Sequence, residues 1–153
     1  MFKDDDVIPV EEYRYNPNGN RSYEMNVTRG TVARTFGYSD ADHLMTAGDT
    51  TYEYDKDGFL TKKISGTEVT TYDYSQRGGL LNVELPNNKV IEYIHDPLGR
   101  RIAKKVNGTI VEKYLWQGLT QLLAVYDGVN NLLMRFEYAD DRMPVAMTKE
   151  GVS

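Results

Sequence analysis

Apolar and polar positions alternate with a period of two along much of this chain, the spacing of a half-buried strand. Near the C-terminal end, Leu132, Met134, Phe136 and Tyr138 fall on one face of an extended segment, while Arg135 and Glu137 fall on the other. The clearest unit is Tyr52-Glu53-Tyr54-Asp55-Lys56-Asp57-Gly58-Phe59-Leu60. Its two tyrosines leave the same face. Asp55 opens a four-residue turn, and Gly58 stands where a positive φ starts the returning strand.

Imperfect copies of this unit recur. Tyr13-Arg14-Tyr15-Asn16-Pro17-Asn18-Gly19 keeps both rings and the glycine, with Asn for the turn Asp. Phe36-Gly37-Tyr38-Ser39-Asp40-Ala41-Asp42 has no glycine at its tip, and Tyr72-Asp73-Tyr74-Ser75-Gln76-Arg77-Gly78 follows the opening unit. In Tyr93-Ile94-His95-Asp96-Pro97-Leu98-Gly99, proline takes the second turn position, which its fixed φ suits. Later copies drift. Tyr114-Leu115-Trp116 and Phe136-Glu137-Tyr138 keep the paired rings, and Tyr126-Asp127 keeps the ring and the acid. The second aromatic position advances from 54 to 74, 95 and 116, which is a repeat of about twenty residues. The shorter steps to 126 and 138 predict single hairpin arms.

Opposite turns lie midway between copies, at Ser65-Gly66-Thr67, Pro86-Asn87-Asn88 and Asn107-Gly108. Asn-Gly is a strong two-residue hairpin signal because both residues tolerate positive φ. Each repeat therefore predicts two strands and two turns. Leu115, Leu119, Leu122 and Tyr126 would also line a helical face, as would Leu132, Phe136 and Met143, but Gly118 and the aromatic repeat favour strands. The expected fold is all-β: tandem hairpins in an extended, twisted antiparallel ribbon, with a lead-in at 1–12, a repeat domain at 13–148 and a tail at 149–153.

Composition narrows the function classes. A chain of 153 residues with 40% hydrophobic and 27% charged residues suits one ordinary domain, and 12 Tyr against 4 Phe and 1 Trp suits half-buried pleated surfaces. The net charge of -5 argues against nucleic acid. The basic pairs Lys62-Lys63, Arg100-Arg101 and Lys104-Lys105 read as solvated sides of strands, and the acidic Asp4–Asp6 run as a solvated end. Without cysteine, thiol catalysis, thiolate metal sites and disulfides are excluded, so the redox compartment is unreadable. No apolar run is long enough to span a bilayer, and the N-terminus does not read as a cleaved signal. Three readings stay open: a cytoplasmic chain, export without a cleaved signal, or a piece of something longer.

Catalytic and ligand chemistry finds little support. The two histidines, His43 and His95, lie near no nucleophile motif, and His95 occupies a repeat aromatic position that suits stacking or a core role. Asp140-Asp141 reads as acidic turn residues. Asp55-Lys56-Asp57-Gly58 resembles a calcium loop, but the bidentate glutamate such a loop needs falls at Ile64. The chain calls for no metal or cofactor. Rows of tyrosine with Trp116 offer a second function class, stacking on sugar rings.

The Tyr-x-Tyr-Asp-x-x-Gly units resemble the tyrosine-aspartate (YD) repeats of the Rhs, or rearrangement hotspot, proteins over nearly the whole chain. Residues 114–147 resemble the approach to the end of the repeat core in bacterial Rhs polymorphic toxins. The resemblance implies a β-ribbon spiralling into a hollow shell around a C-terminal toxin, a non-catalytic role in encapsulation and delivery, and a secreted or cell-surface destination. It also implies partners, neighbouring shell segments or a toxin polypeptide, and the unpaired edges of a short meander add a second copy of the chain. The signature it assigns is Tyr13, Tyr15, Gly19, Tyr38, Tyr52, Tyr54, Asp55, Gly58, Tyr72, Tyr74, Gly78, Tyr93, Asp96, Gly99, Tyr114, Trp116, Tyr126, Asp127, Phe136 and Tyr138. Asp96-Pro97-Leu98-Gly99 also matches the Asp-Pro-x-Gly pattern of the family's core end, but its place inside a repeat makes it a turn. Asp141 stands where the family often has glycine. The family's delivery region, core-closing autoproteolytic segment and toxin have no counterpart here, so a fragment or a separate remnant is expected.

Overall fold

The computed structural model describes residues 10–139 and 143–149. The expectations placed on Asp4–Asp6, on Asp140-Asp141 and on most of the lead-in and tail lie outside these residues. Every regular element described is a strand. They are β1 (Glu11–Tyr15), β2 (Arg21–Asn26), β3 (Thr31–Tyr38), β4 (Leu44–Ala47), β5 (Thr50–Tyr54), β6 (Leu60–Ser65), β7 (Glu68–Tyr74), β8 (Leu80–Glu84), β9 (Val90–His95), β10 (Arg101–Val106), β11 (Thr109–Gln117), β12 (Gln121–Asp127), β13 (Leu132–Glu137) and β14 (Ala146–Lys149). Among the described residues they follow one another in chain order, with β1 and β14 at the two ends of that order. The all-β hairpin array read from the repeat is what the chain forms. Residues 115–126, which carried the helical alternative, form two strands and a turn.

The chain divides into two compact units, residues 1–69 and 70–153. In the first, β1 to β6 make consecutive hairpins, with Tyr52 opposite Lys63 and Glu53 opposite Lys62. In the second, Tyr72 lies opposite Val83 and Val83 opposite Ile91, so aromatic and branched side chains share a face across three strands.

Register shifts recur at one repeat position. They fall beside Tyr15, Tyr38, Tyr54, Tyr74 and Trp116, in each case where the second aromatic meets the tip. The cause is local. A four-residue turn ending in a left-handed residue inserts one extra residue on the return strand, and the ladder must absorb it as a bulge.

Little of either unit is sealed from solvent. Among the described residues the buried hydrophobic ones are Ala47, Val83, Ala103, Ala124 and Val125, small or branched groups, and no large side chain is fully buried. A single pleated layer leaves both faces half-covered, so cross-strand pairs and tip hydrogen bonds carry much of the stability. Glu24 and Asn26 are the buried polar exceptions in the first unit. Glu24 is 5% exposed and held by Arg21 and Arg34, each 2.5 Å away.

Candidate functional site

The hairpin tips and the aromatic positions beside them form the candidate site. At the tips headed by Asn16, Ser39, Asp55, Ser75, Asp96 and Asp127 the first residue turns its side chain back onto the backbone. Asp55 Oδ1 accepts hydrogen bonds from the N–H groups of Asp57 and Phe59, each at 2.9 Å. Asn16 does the same for Asn18 and Asn20, Asp96 for Leu98 and Arg100, and Asp127 for Val129 and Asn131. Ser39 and Ser75 reach the residue four further on through their hydroxyls. This is the short-range capping that Asp, Asn and Ser provide in turns.

The backbone closes the tips in the same way. The Gly58 N–H donates to the Asp55 carbonyl at 3.1 Å, and Gly58 has φ 84°. Where glycine is missing, Asp42 at φ 58° and Asn130 at φ 73° occupy the left-handed position, which Asp and Asn tolerate best among side-chain-bearing residues. Asp127 thus heads a complete tip, and the arms at 116, 126 and 138 lie on or just after successive strands, as their short spacing implied.

Four of the second aromatics join their tips to an earlier one. Within the first unit, the Tyr38 hydroxyl donates to the Arg21 carbonyl and the Tyr54 hydroxyl to the Leu44 carbonyl. In the second unit, the Trp116 indole N–H donates to the Arg101 carbonyl at 2.7 Å and the Tyr138 hydroxyl to the Leu122 carbonyl at 3.0 Å. Each acceptor lies six residues beyond an earlier second aromatic: 15 to 21, 38 to 44, 95 to 101 and 116 to 122. Ring and hydroxyl act together, which explains why Tyr rather than Phe dominates these positions. Trp116 spends its polar atom on this link, while its ring borders a groove with Leu119 and Leu122.

Further links run from tip to tip. Asn18 and Asn20 donate to Asp42 Oδ1, Arg77 donates to the Pro97 carbonyl, and Arg100 donates to the Gly118 carbonyl. The His43 ring stacks on Tyr54. Sequence reading gave His43 no role, although its place five residues after Tyr38 is the signal that locates it beside the next copy's ring.

The first aromatics form the sheet face. Tyr52, Tyr72, Tyr93 and Tyr114 are half-buried, whereas Tyr13 and Tyr15 at the β1 end are exposed. Burial, and then the hydrogen bond from its hydroxyl to Glu112, push the Tyr114 phenol up to about 12. Arg101 departs from the solvated-strand expectation: its guanidinium lies over the Tyr93 ring at 3.8 Å, with Nε buried and unpartnered. Lys104 pairs with Glu112 and Lys62 with Glu53, while Lys63 is exposed as expected.

Chemically, the tip carboxylates are committed acceptors. For Asp96, desolvation opposes ionisation, but hydrogen bonds from Arg100 and from the Leu98 N–H outweigh it and hold the carboxyl below the usual range. For Asp127 the Asn131 N–H is the main stabiliser of the anion. Asp55 turns Oδ1 onto its own loop, an arrangement of a turn cap rather than of a cation loop. Among the described residues, no group of three or more His, Asp or Glu side chains is arranged to hold a metal, and no helix is long and apolar enough to cross a membrane.

Serial antiparallel hairpins with capped tips and ring-to-carbonyl links define a class: a YD-repeat β-sheet module. The family model described as Teneurin YD-shell matches residues 2–153, and the chain belongs to that family. It is an Rhs-type, or YD-repeat, protein and a structural shell module. It is similar to Teneurin-3 of Mus musculus, 32% identical over 96 residues, covering 62% of this chain and 3% of that protein. It is also similar to the probable deoxyribonuclease RhsA of Dickeya dadantii (strain 3937), 34% identical over 84 residues, covering 51% of this chain and 6% of that protein. A longer match, to the tRNA3(Ser)-specific nuclease WapA of Bacillus spizizenii, is 26% identical and covers 93% of this chain and 6% of the nuclease. Among solved structures, TcdB2-TccC3 shares the fold, with a TM-score of 0.58 and 14% identity over 86% of this chain and 9% of that one. The chain therefore spans only a small part of the length of each protein it matches.

Proposed function

We propose that residues 13–148 act as one non-catalytic segment of a YD-repeat shell, pairing through strand edges with further repeat strands, and that the assembled shell encloses a toxin polypeptide for delivery outside the cell. One observation carries this reading: the strands run in unbroken chain order, and among the described residues the end strands β1 and β14 are each paired on one side. Unpaired N–H and C=O groups along a strand edge recruit another strand. The half-exposed faces agree with a wall whose covering comes from elsewhere in an assembly. The relatives named as nucleases support the toxin context, and the commitment of Asp55, Asp96 and Asp127 to their own turns supports a non-enzymatic segment.

The sugar-stacking alternative rests on the Trp116 ring, which borders an open groove. The linking role is favoured, because the indole N–H that would orient a sugar hydroxyl is bound to Arg101.

Amide hydrogen exchange of the whole chain at low and high protein concentration tests the edge reading. Protection gained at high concentration in 11–15 and 146–149 is the expected result. Protection gained elsewhere alone, or nowhere, overturns it.

A further inference from the structure

In the first unit, the space between two neighbouring tips is filled. The His43 ring lies on Tyr54, with centroids 4.8 Å apart and planes at 20°, and reaches the Gly58 backbone, where an added Cβ would meet the imidazole at 3.2 Å. In the second unit the same three positions are Gly79, His95 and Gly99. Gly79 stands five residues after Tyr74 as His43 stands five after Tyr38, and Gly99 stands four after His95 as Gly58 stands four after Tyr54. The ring that covers the next copy's aromatic is absent. In its place is an open cavity of about 560 Å³, bordered by Ser75, Arg77, Gly79, His95, Asp96 and Gly99. An added Cβ at Gly99 would meet nothing within 4 Å.

The His95 imidazole has a buried, unpartnered Nδ1, and the edge carrying Cε1 and Nε2 faces Gly79, 3.8 and 3.7 Å from where a Cβ there would stand. Two charged groups border the opening. Asp96 is ion-paired with Arg100 at 2.6 Å. Arg77 donates to the neutral Pro97 carbonyl, and no ion pair to it occurs among the described residues, so its positive charge stands at the rim without a carboxylate.

We propose that this cavity is a docking site for one aromatic side chain of a polypeptide partner, seated on His95 as His43 is seated on Tyr54, with an acidic residue next to it in sequence meeting Arg77. The molecule itself shows which group fits the space, and Arg77 sets the charge of its neighbour. The proposal is independent of edge pairing: it is read at His95, whereas edge association is read at β1 and β14.

The test uses the whole chain, whose two histidines give two resolvable imidazoles by NMR. The probes are N-acetyl-Trp-Asp-amide, N-acetyl-Trp-amide and N-acetyl-Ala-Asp-amide. The first is expected to shift the His95 ring signals saturably and leave His43, already covered, in place. The second binds several-fold more weakly, and the third does not bind. Arg77→Gln removes the advantage of the acidic probe, and Gly79→His, which supplies the missing ring, abolishes the shift. Gly79→Ala, a smaller change at a backbone position without positive φ, weakens binding and serves if the histidine variant does not fold. Absence of a saturable His95 shift in the unmodified chain overturns the proposal, as does a shift undiminished in either folded Gly79 variant. Equal binding of the two Trp probes, unaffected by Arg77→Gln, overturns the acidic half.

Discussion

The imidazole of His43 lies stacked on the ring of Tyr54, while the Tyr54 hydroxyl reaches past it to the Leu44 carbonyl at 3.0 Å. Two successive hairpin tips are thereby held by one aromatic side chain using both its face and its polar end. Tyr54→Phe keeps the stack and removes the hydrogen bond, and urea denaturation should show a loss of about 1 kcal/mol. Tyr38→Phe should cost a similar amount through its link to Arg21, whereas His43→Ala should destabilise by removing the stack and leaving the first-unit groove open.

Glycines divide by what surrounds them. At Gly128 an added Cβ would sit 2.1 Å from the Ile110 carbonyl oxygen, so Gly128→Ala forces two backbones apart. Its cost should reach about 2–3 kcal/mol, within the range for overpacked sites. Gly79→Ala comes within 3.3 Å of the Ser75 hydroxyl and makes ordinary contact with the His95 imidazole at 3.7 and 3.8 Å, and should change the urea midpoint little.

Acid should weaken the tips in a defined direction. Asp96 and Asp127 have carboxyl pKa values held below the ordinary range in the folded chain. A depressed folded pKa means the unfolded chain binds protons first, so this contribution is complete above the unfolded value of about 4 and is lost as pH falls through the folded value. Denaturation midpoints measured from pH 7 down to pH 2.5 should fall below about pH 4. Asp127→Asn should flatten that dependence, since Asn16 shows that an amide oxygen makes the same cap.

Glu24 carries the buried charge of the first unit. Its carboxyl is opposed by desolvation but held below the usual range by hydrogen bonds from Arg34 and Arg21. Both arginines are half-exposed, with side chains 48% and 44% accessible, so the loss on breaking the triad should fall below that of a sealed ion pair. Glu24→Gln should cost about 1–3 kcal/mol by urea denaturation, with Arg21 and Arg34 left to solvent on one side.

Local features were the legible ones. Asp55 and Gly58, or Asn107 and Gly108, fix their turns within four residues, so a single copy suffices to read them. The links from Tyr54 to Leu44 and from Trp116 to Arg101 join residues 10 and 15 apart, and they depend on strand lengths and bulges that vary between copies. Arg101 illustrates the same limit. Its neighbour Arg100 is paired with Asp96 four residues away, a readable spacing, but the ring beneath Arg101 belongs to a different strand. The gap at Gly79 becomes visible only when its column is compared with His43, because an absent side chain leaves no pattern of its own.

Open strand edges at β1 and β14 should recruit further strands, a second copy among them. Light scattering on the whole chain over a hundredfold concentration range measures this directly. The expected mass rises with concentration and falls back toward that of one chain in Met147→Lys, which places a charge on the exposed strand β14. A single-chain mass at every concentration, the same for both proteins, would contradict it.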